Sequence, residues 1–229
     1  MLPEAQIKTR FDEVNGRVLE AVRRSGRLAG ACRLVLASKT QPAEAVAAAY
    51  RAGARDFGEN YVQEAVAKRA ELGPLSGATW HLIGHLQSNK ARLALETFDI
   101  IQTLDSAKLA AAIGRLRLSP PMRTLVEVNL GGEASKSGVA PDAVEALIET
   151  ARDKVEVVGL MTIPPPGENP EASRRYFAEL RELRDRLVSA SGLKLSDLSM
   201  GMTEDYAIAI EEGATIVRVG RAVFGERNT

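Results

Sequence analysis

Eight short β-like runs alternate with helical stretches along this chain, and no other feature limits its fold as much. The runs are RLVLAS (33–38), ARDFGE (54–59), WHLIG (80–84), DIIQTL (99–104), TLVEVNL (124–130), VEVVGLMTI (155–163), LSDLSMG (195–201) and TIVRVG (215–220). Several are almost continuously apolar, as strands covered on both faces must be. Between them lie helix-forming stretches. PAEAVAAAYRAG ends at Gly53, and PDAVEALIETARDK carries Pro141 as a first-turn residue. Tyr176, Leu180, Leu183 and Leu187 share one helical face, with Glu179, Arg181 and Glu182 off it. Residues 3–29 predict one further helix, in which Ile7, Phe11, Val14, Val18 and Val22 recur at helical spacing before Gly26 and Gly30 break the pattern. Eight β-α units in series allow a parallel barrel or a large doubly wound sheet. Even spacing and the lack of an early G-x-G-x-x-G loop favour the barrel. No linker divides the chain, and its proline-rich stretch, Pro164 to Pro166, falls in a strand-to-helix loop. The expected fold is therefore α/β: a single (β/α)8 TIM barrel over 1–229, with an extra N-terminal helix (1–30) packed on it.

A length of 229 residues suits one such barrel. Thirty basic residues balance thirty acidic ones, so the basic excess that drives nucleic-acid binding is missing. Cys32 is the one cysteine, which rules out an intramolecular disulfide. The charged opening is unlike a signal peptide, and no apolar run has the length of a membrane span. The expectation is a cytoplasmic protein with no membrane or nucleic-acid partner. A self-contained barrel also predicts a monomer.

Chemistry in such barrels sits at the carboxyl ends of the strands. Lys39 follows the first strand directly, ahead of Pro42, which should open the next helix. A lysine sheltered from water there loses proton affinity, and its neutral amine forms Schiff bases with aldehydes. A solvated loop lysine is the plainer reading of that position taken alone. The last strand ends Val217-Arg218-Val219-Gly220 and continues as Arg221-Ala222-Val223-Phe224-Gly225, a candidate short helical turn. Barrels often bind phosphate there, on free backbone N–H groups, and Gly220 lets the backbone approach closely. The loop after strand seven adds Ser199, Met200 and Gly201, with the Ser199 hydroxyl as a phosphate donor. Arg218 lies two residues before Gly220, on the same face of its strand. Turn glycines alone would explain Gly201, Gly220 and Gly225, but an inward arginine needs a partner. Strands one and eight are neighbours in a closed barrel, so the lysine and the anion site together imply an aldehyde carrying a phosphate.

Several runs resemble one known family, in order and across nearly the whole chain. They are Ala37-Ser38-Lys39-Thr40, residues 57–64 (FGENYVQE), residues 80–90 (WHLIGHLQSNK), Ser135-Lys136-Ser137-Gly138, Gly159-Leu160-Met161, Ser199-Met200-Gly201-Met202 and Val217-Arg218-Val219-Gly220. The family is that of the pyridoxal phosphate homeostasis proteins. The resemblance implies the barrel of the alanine racemase N-terminal domain, with pyridoxal 5′-phosphate (PLP) held as a Schiff base on Lys39. It implies that Arg218 faces the pyridine nitrogen, and that Ser199, Gly220 and the backbone N–H of Arg221 hold the phosphate. Asn60, Met161 and Met200 complete the candidate cofactor-binding set. Arg221 departs from the family, which usually has a small hydroxyl residue there; the backbone donor survives the change and a side-chain hydroxyl does not.

For Asn60 the alternative is a helix cap, and for Tyr61 packing is expected. Met161, at the end of strand six, is read as packing the barrel or the ring face. His81 and His85 should not share a face, which argues against a metal pair. Gln87, Ser88, Asn89, Lys90 and Lys136 belong to loops at the rim, solvated by default. The resemblance further implies buffering or delivery of PLP, with apo PLP-dependent enzymes as candidate recipients and no robust turnover. A PLP-dependent racemase or decarboxylase is the alternative, and a Schiff-base aldolase a third reading. Only nine residues follow Gly220, too few for the second domain such racemases and decarboxylases carry. An arginine at the pyridine nitrogen also weakens the electron sink.

Overall fold

The structure is a computed structural model that describes residues 2–133, 137–167 and 169–226. Eight parallel strands close into one barrel in chain order. They are β1 (Arg33–Ala37), β2 (Asp56–Glu59), β3 (Thr79–Leu82), β4 (Ile100–Leu104), β5 (Arg123–Glu127), β6 (Glu156–Met161), β7 (Asp197–Ser199) and β8 (Ile216–Val219). Each lies within or one residue outside its sequence run. Most runs outlast their strands, because their last residues leave the ladder to form the rim. The ring closes where Val35 of β1 pairs with Arg218 of β8.

The helices between strands are α2 (Ala43–Arg51), α3 (Val62–Leu72), α4 (Ala91–Thr97), α5 (Ala107–Gly114), α6 (Val144–Ala151), α7 (Arg174–Ser191) and α8 (Tyr206–Glu211). Preceding them all, α1 (Glu4–Arg24) buries Ile7, Phe11, Val14, Val18 and Val22 against α2, α8 and the short α9 (Arg221–Phe224). It stops before residue 29 because Gly26 turns the backbone left-handed, at φ 71°. Pro141 starts a 3₁₀ turn, Pro141–Ala143, that leads into α6. On α7 the buried stripe is Phe177, Leu180, Leu183 and Leu187. Phe177 takes the place expected for Tyr176, which is half-buried with Arg175 over its ring.

Most of the core lies between strands and helices. The barrel interior holds a small apolar set, Val35, Ile100, Leu125, Val158, Met161 and Ile216. The rest of that interior is polar, unlike the branched aliphatic layers common in such barrels. Arg218 Nη1 donates to Ser199 Oγ at 2.5 Å, and Ser199 Oγ donates to Gln102 Oε1 at 2.6 Å. Gln102 Nε2 lies 2.9 Å from His81 Nδ1, and His81 Nε2 lies 2.9 Å from Asp56 Oδ1. A line of hydrogen bonds therefore crosses the barrel from the carboxyl end of β8 to the amino end of β2.

Candidate functional site

A cavity of about 1020 Å³ opens at the carboxyl ends of the strands. Lys39, Asn60, Arg218, Gly220 and Arg221 line it, with the 164–166 prolines forming one wall. Five of the eight candidate residues thus meet in one space. Lys39 is half-buried and reaches the cavity from the end of β1, next to β8.

Arg218 is almost wholly buried, and its Nη2 also donates to the Thr162 carbonyl at 2.8 Å. Burial pulls its guanidinium down to about 10, opposed by the nearby carboxylates Glu127 and Asp205. It remains a cation at neutral pH, fixed in orientation by Ser199 and Thr162.

Gly220 follows β8 and opens α9, whose first N–H groups have no acceptor within the helix. A Cβ at position 220 would lie 2.9 Å from the Ala37 carbonyl oxygen, so the close approach of β8 to β1 requires glycine. Gly201 has φ 93°, and a Cβ there would meet Ala209 Cβ at 2.5 Å. Its carbonyl accepts the Arg218 N–H at 2.9 Å, which ties the loop after β7 to β8. Thr203 lines the cavity beside Gly220 and Arg221 and brings a hydroxyl. Sequence reasoning passed over it, because nothing in the local pattern separates it from any other loop threonine.

Asn60 lines the cavity, and its Oδ1 is buried without a hydrogen-bond partner among the described residues. It does not cap α3; Tyr61 holds that position, and it is exposed, contrary to the packing expected. Glu127, at the end of β5, is also buried, with Oε2 unpartnered among the described residues. Burial and the neighbouring Asp105 push its carboxyl up to about 7, against the opposing charges of Arg218 and His85.

Three candidates stand elsewhere. Met161 packs in the apolar barrel interior. Met200 lies in the core between strands and helices, away from the cavity, and its N–H donates to Ile216. Its side chain therefore faces the helical layer, because the chain alternates faces after Ser199. The Ser199 hydroxyl points into the barrel, giving its proton to Gln102 and accepting from Arg218. It thereby brackets Arg218 within the barrel. The Arg221 side chain is exposed and 3.4 Å from Glu204 Oε1, at the edge of the cavity. His81 belongs to the interior line and His85 pairs with Asp105 at 2.9 Å. Among the described residues no cluster of three or more His, Cys, Asp or Glu is placed to hold a metal. Lys90 bonds Gln63 at 3.3 Å outside the cavity lining. Lys136 lies outside the described residues.

Comparison with known proteins places the chain in a family. The profile of the family described as "Alanine racemase, N-terminal domain" matches residues 18–228. A protein of Aquifex aeolicus named pyridoxal phosphate homeostasis protein is 44% identical, over 95% of this chain and 97% of that one. The structure of PipY from Synechococcus elongatus, solved with PLP bound, superposes with a TM-score of 0.81 at 37% identity, covering 96% of this chain and all (100%) of that one. Alanine racemase from Corynebacterium glutamicum shares the fold, with a TM-score of 0.75 at 18% identity, over 98% of this chain and 62% of that one.

Proposed function

The chain belongs to the pyridoxal phosphate homeostasis protein family, built on the alanine racemase N-terminal barrel, and on that premise we propose that it binds PLP on Lys39 and buffers or delivers it. One observation carries the proposal. A half-buried lysine amine and a glycine-opened anion cradle sit on adjacent strands, β1 and β8, in the same cavity.

The residues present fit the cofactor. The unpartnered Asn60 Oδ1 and the bare backbone at Gly220 are features a bound polar ligand would satisfy. Lys39 is the attachment point for the aldehyde. The backbone at Gly220 and Arg221 and the Thr203 hydroxyl hold the phosphate. Arg218 presents a fixed cation to the pyridine nitrogen. When bound, the cofactor supplies an aldehyde and an electron-withdrawing ring. A cation at the ring nitrogen disfavours its protonation, which weakens that withdrawal and favours holding over turnover. Met161 supports the cavity from below, and Ser199 acts through Arg218.

The chain acts as one PLP-binding unit, a barrel with α1 packed on it, and works as a monomer. Apo PLP-dependent enzymes are its proposed recipients and the cytoplasm its proposed location. No helix of the described residues is long and apolar enough to cross a membrane. Burial pushes the Cys32 thiol up to about 12, which keeps it in the protonated, less reactive form.

Borohydride reduction of the yellow, PLP-loaded protein should bleach it and fix the cofactor's mass on Lys39, and Lys39→Ala should abolish both effects. A colourless protein labelled only with added sugar phosphate would favour an aldolase. Racemisation of amino acids at an enzyme-like rate would replace the carrier reading with the enzyme one.

A further inference from the structure

Lys39 sits in a tight turn, closed by the Gln41 N–H donating to the Ser38 carbonyl at 3.0 Å. The next residue, Thr40, has φ 65°. That conformation suits glycine or asparagine at the third position of a turn, and a β-branched residue adopts it only when its surroundings enforce it. Side chains of β2 and α3 supply that enforcement. The Thr40 N–H donates to Glu64 Oε1 at 2.5 Å. Lys68 Nζ donates to the Ser38 carbonyl at 2.8 Å, to Glu59 Oε1 at 2.5 Å and to Glu64 Oε1 at 3.2 Å. Those acceptors match the three donors of an ammonium group. The Ser38 hydroxyl donates to the same Glu59 oxygen at 2.7 Å. Glu59 ends β2, while Glu64 and Lys68 stand one turn apart on α3. Both neighbours of Lys39 are therefore gripped, by a buried lysine and two carboxylates outside the cavity lining.

We propose that Glu64 and Lys68, with Glu59 behind them, are positioning residues for Lys39: they hold the 38–41 turn in its left-handed form so that the lysine amine faces the cavity. The inference rests on the PLP reading of the site. The ion pairs alone would also be explained as support for α3 against β2. That explanation leaves unaccounted why they end on the carbonyl before Lys39 and the N–H after it.

The test is the rate at which apo-protein takes up PLP on Lys39, read by borohydride quenching and mass spectrometry. Glu64→Ala should load roughly tenfold more slowly, the scale of loss that a misplaced reacting group produces. Glu64→Gln keeps an acceptor for the Thr40 N–H and should load near the wild-type rate. Thr40→Gly makes the positive φ cheap and should restore loading in the Glu64→Ala background, which a loss of general support would not allow. Hydrogen exchange at the Thr40 amide of the apo-protein should be faster in Glu64→Ala than in Glu64→Gln. Glu64→Ser carries the same comparison if the alanine variant does not fold. Wild-type rates in Glu64→Ala, or failure of Thr40→Gly to restore them, would overturn the inference and leave the cofactor reading standing. A wild-type protein that takes up no PLP would overturn both.

Discussion

Arg218 was legible as an inward arginine from its place two residues before Gly220. Its partners were not. Gln102 and His81 reach Ser199 only because the barrel closes with a particular stagger, and no local pattern records that stagger. Glu127 was missed for the same reason: its environment comes from β4, β8 and the loop after β3, all distant in sequence. Yet it carries a testable consequence. Its carboxyl rises in the fold from 4.5 to about 7, so the fold prefers the protonated form. The stability tied to this group is complete below the unfolded value and is lost as pH climbs through 7. Glu127→Gln should therefore flatten the dependence of melting temperature on pH between about 4.5 and 7, and above 7 it should be the more stable protein by up to roughly 3 kcal/mol. Thermal melts across that pH range check this, and parallel curves for the two proteins would refute it.

At the scale of elements, all eight strands could be read from the sequence: several announce themselves as apolar runs, and the more polar β2 and β7 were placed by their even spacing between helical stretches. Helical faces were less secure. Tyr176 and Phe177 both fit the periodicity to within one residue, and only packing chose the smaller, fully apolar ring for the core. Met200 was misplaced because a motif groups neighbours in sequence, whereas a strand sends them to opposite faces. Gly159 shows what a motif can hide. It pairs with Asp197 where β6 meets β7, and a Cβ there would lie 1.9 Å from the Asp197 carbonyl oxygen. The glycine in Gly159-Leu160-Met161 is thus a condition for two strands to meet. Gly159→Ala should cost about 3 kcal/mol or more, since a backbone contact cannot yield as a side chain can. Denaturant unfolding should show a lower midpoint, and an unchanged midpoint would contradict the close approach.

For the molecule as a whole, the order β1 to β8 was implied by eight β-α units in series, and closure brought the two halves of the site together. On the monomer reading proposed above, sedimentation should show the mass of a single chain, with and without PLP. A stable dimer would require the cavity mouth to be considered with a second copy beside it. Closure has another consequence. The buffering proposed above acts one molecule for one, so it would require the protein to accumulate in step with its cargo. This chain has a formal net charge of zero, so mutual repulsion does little to keep its copies apart. An open sheet would add rows of unpaired N–H and C=O groups along its margins, ready to recruit a neighbour. A ring of strands has no margin, so closure removes that route to self-association from a protein without net charge.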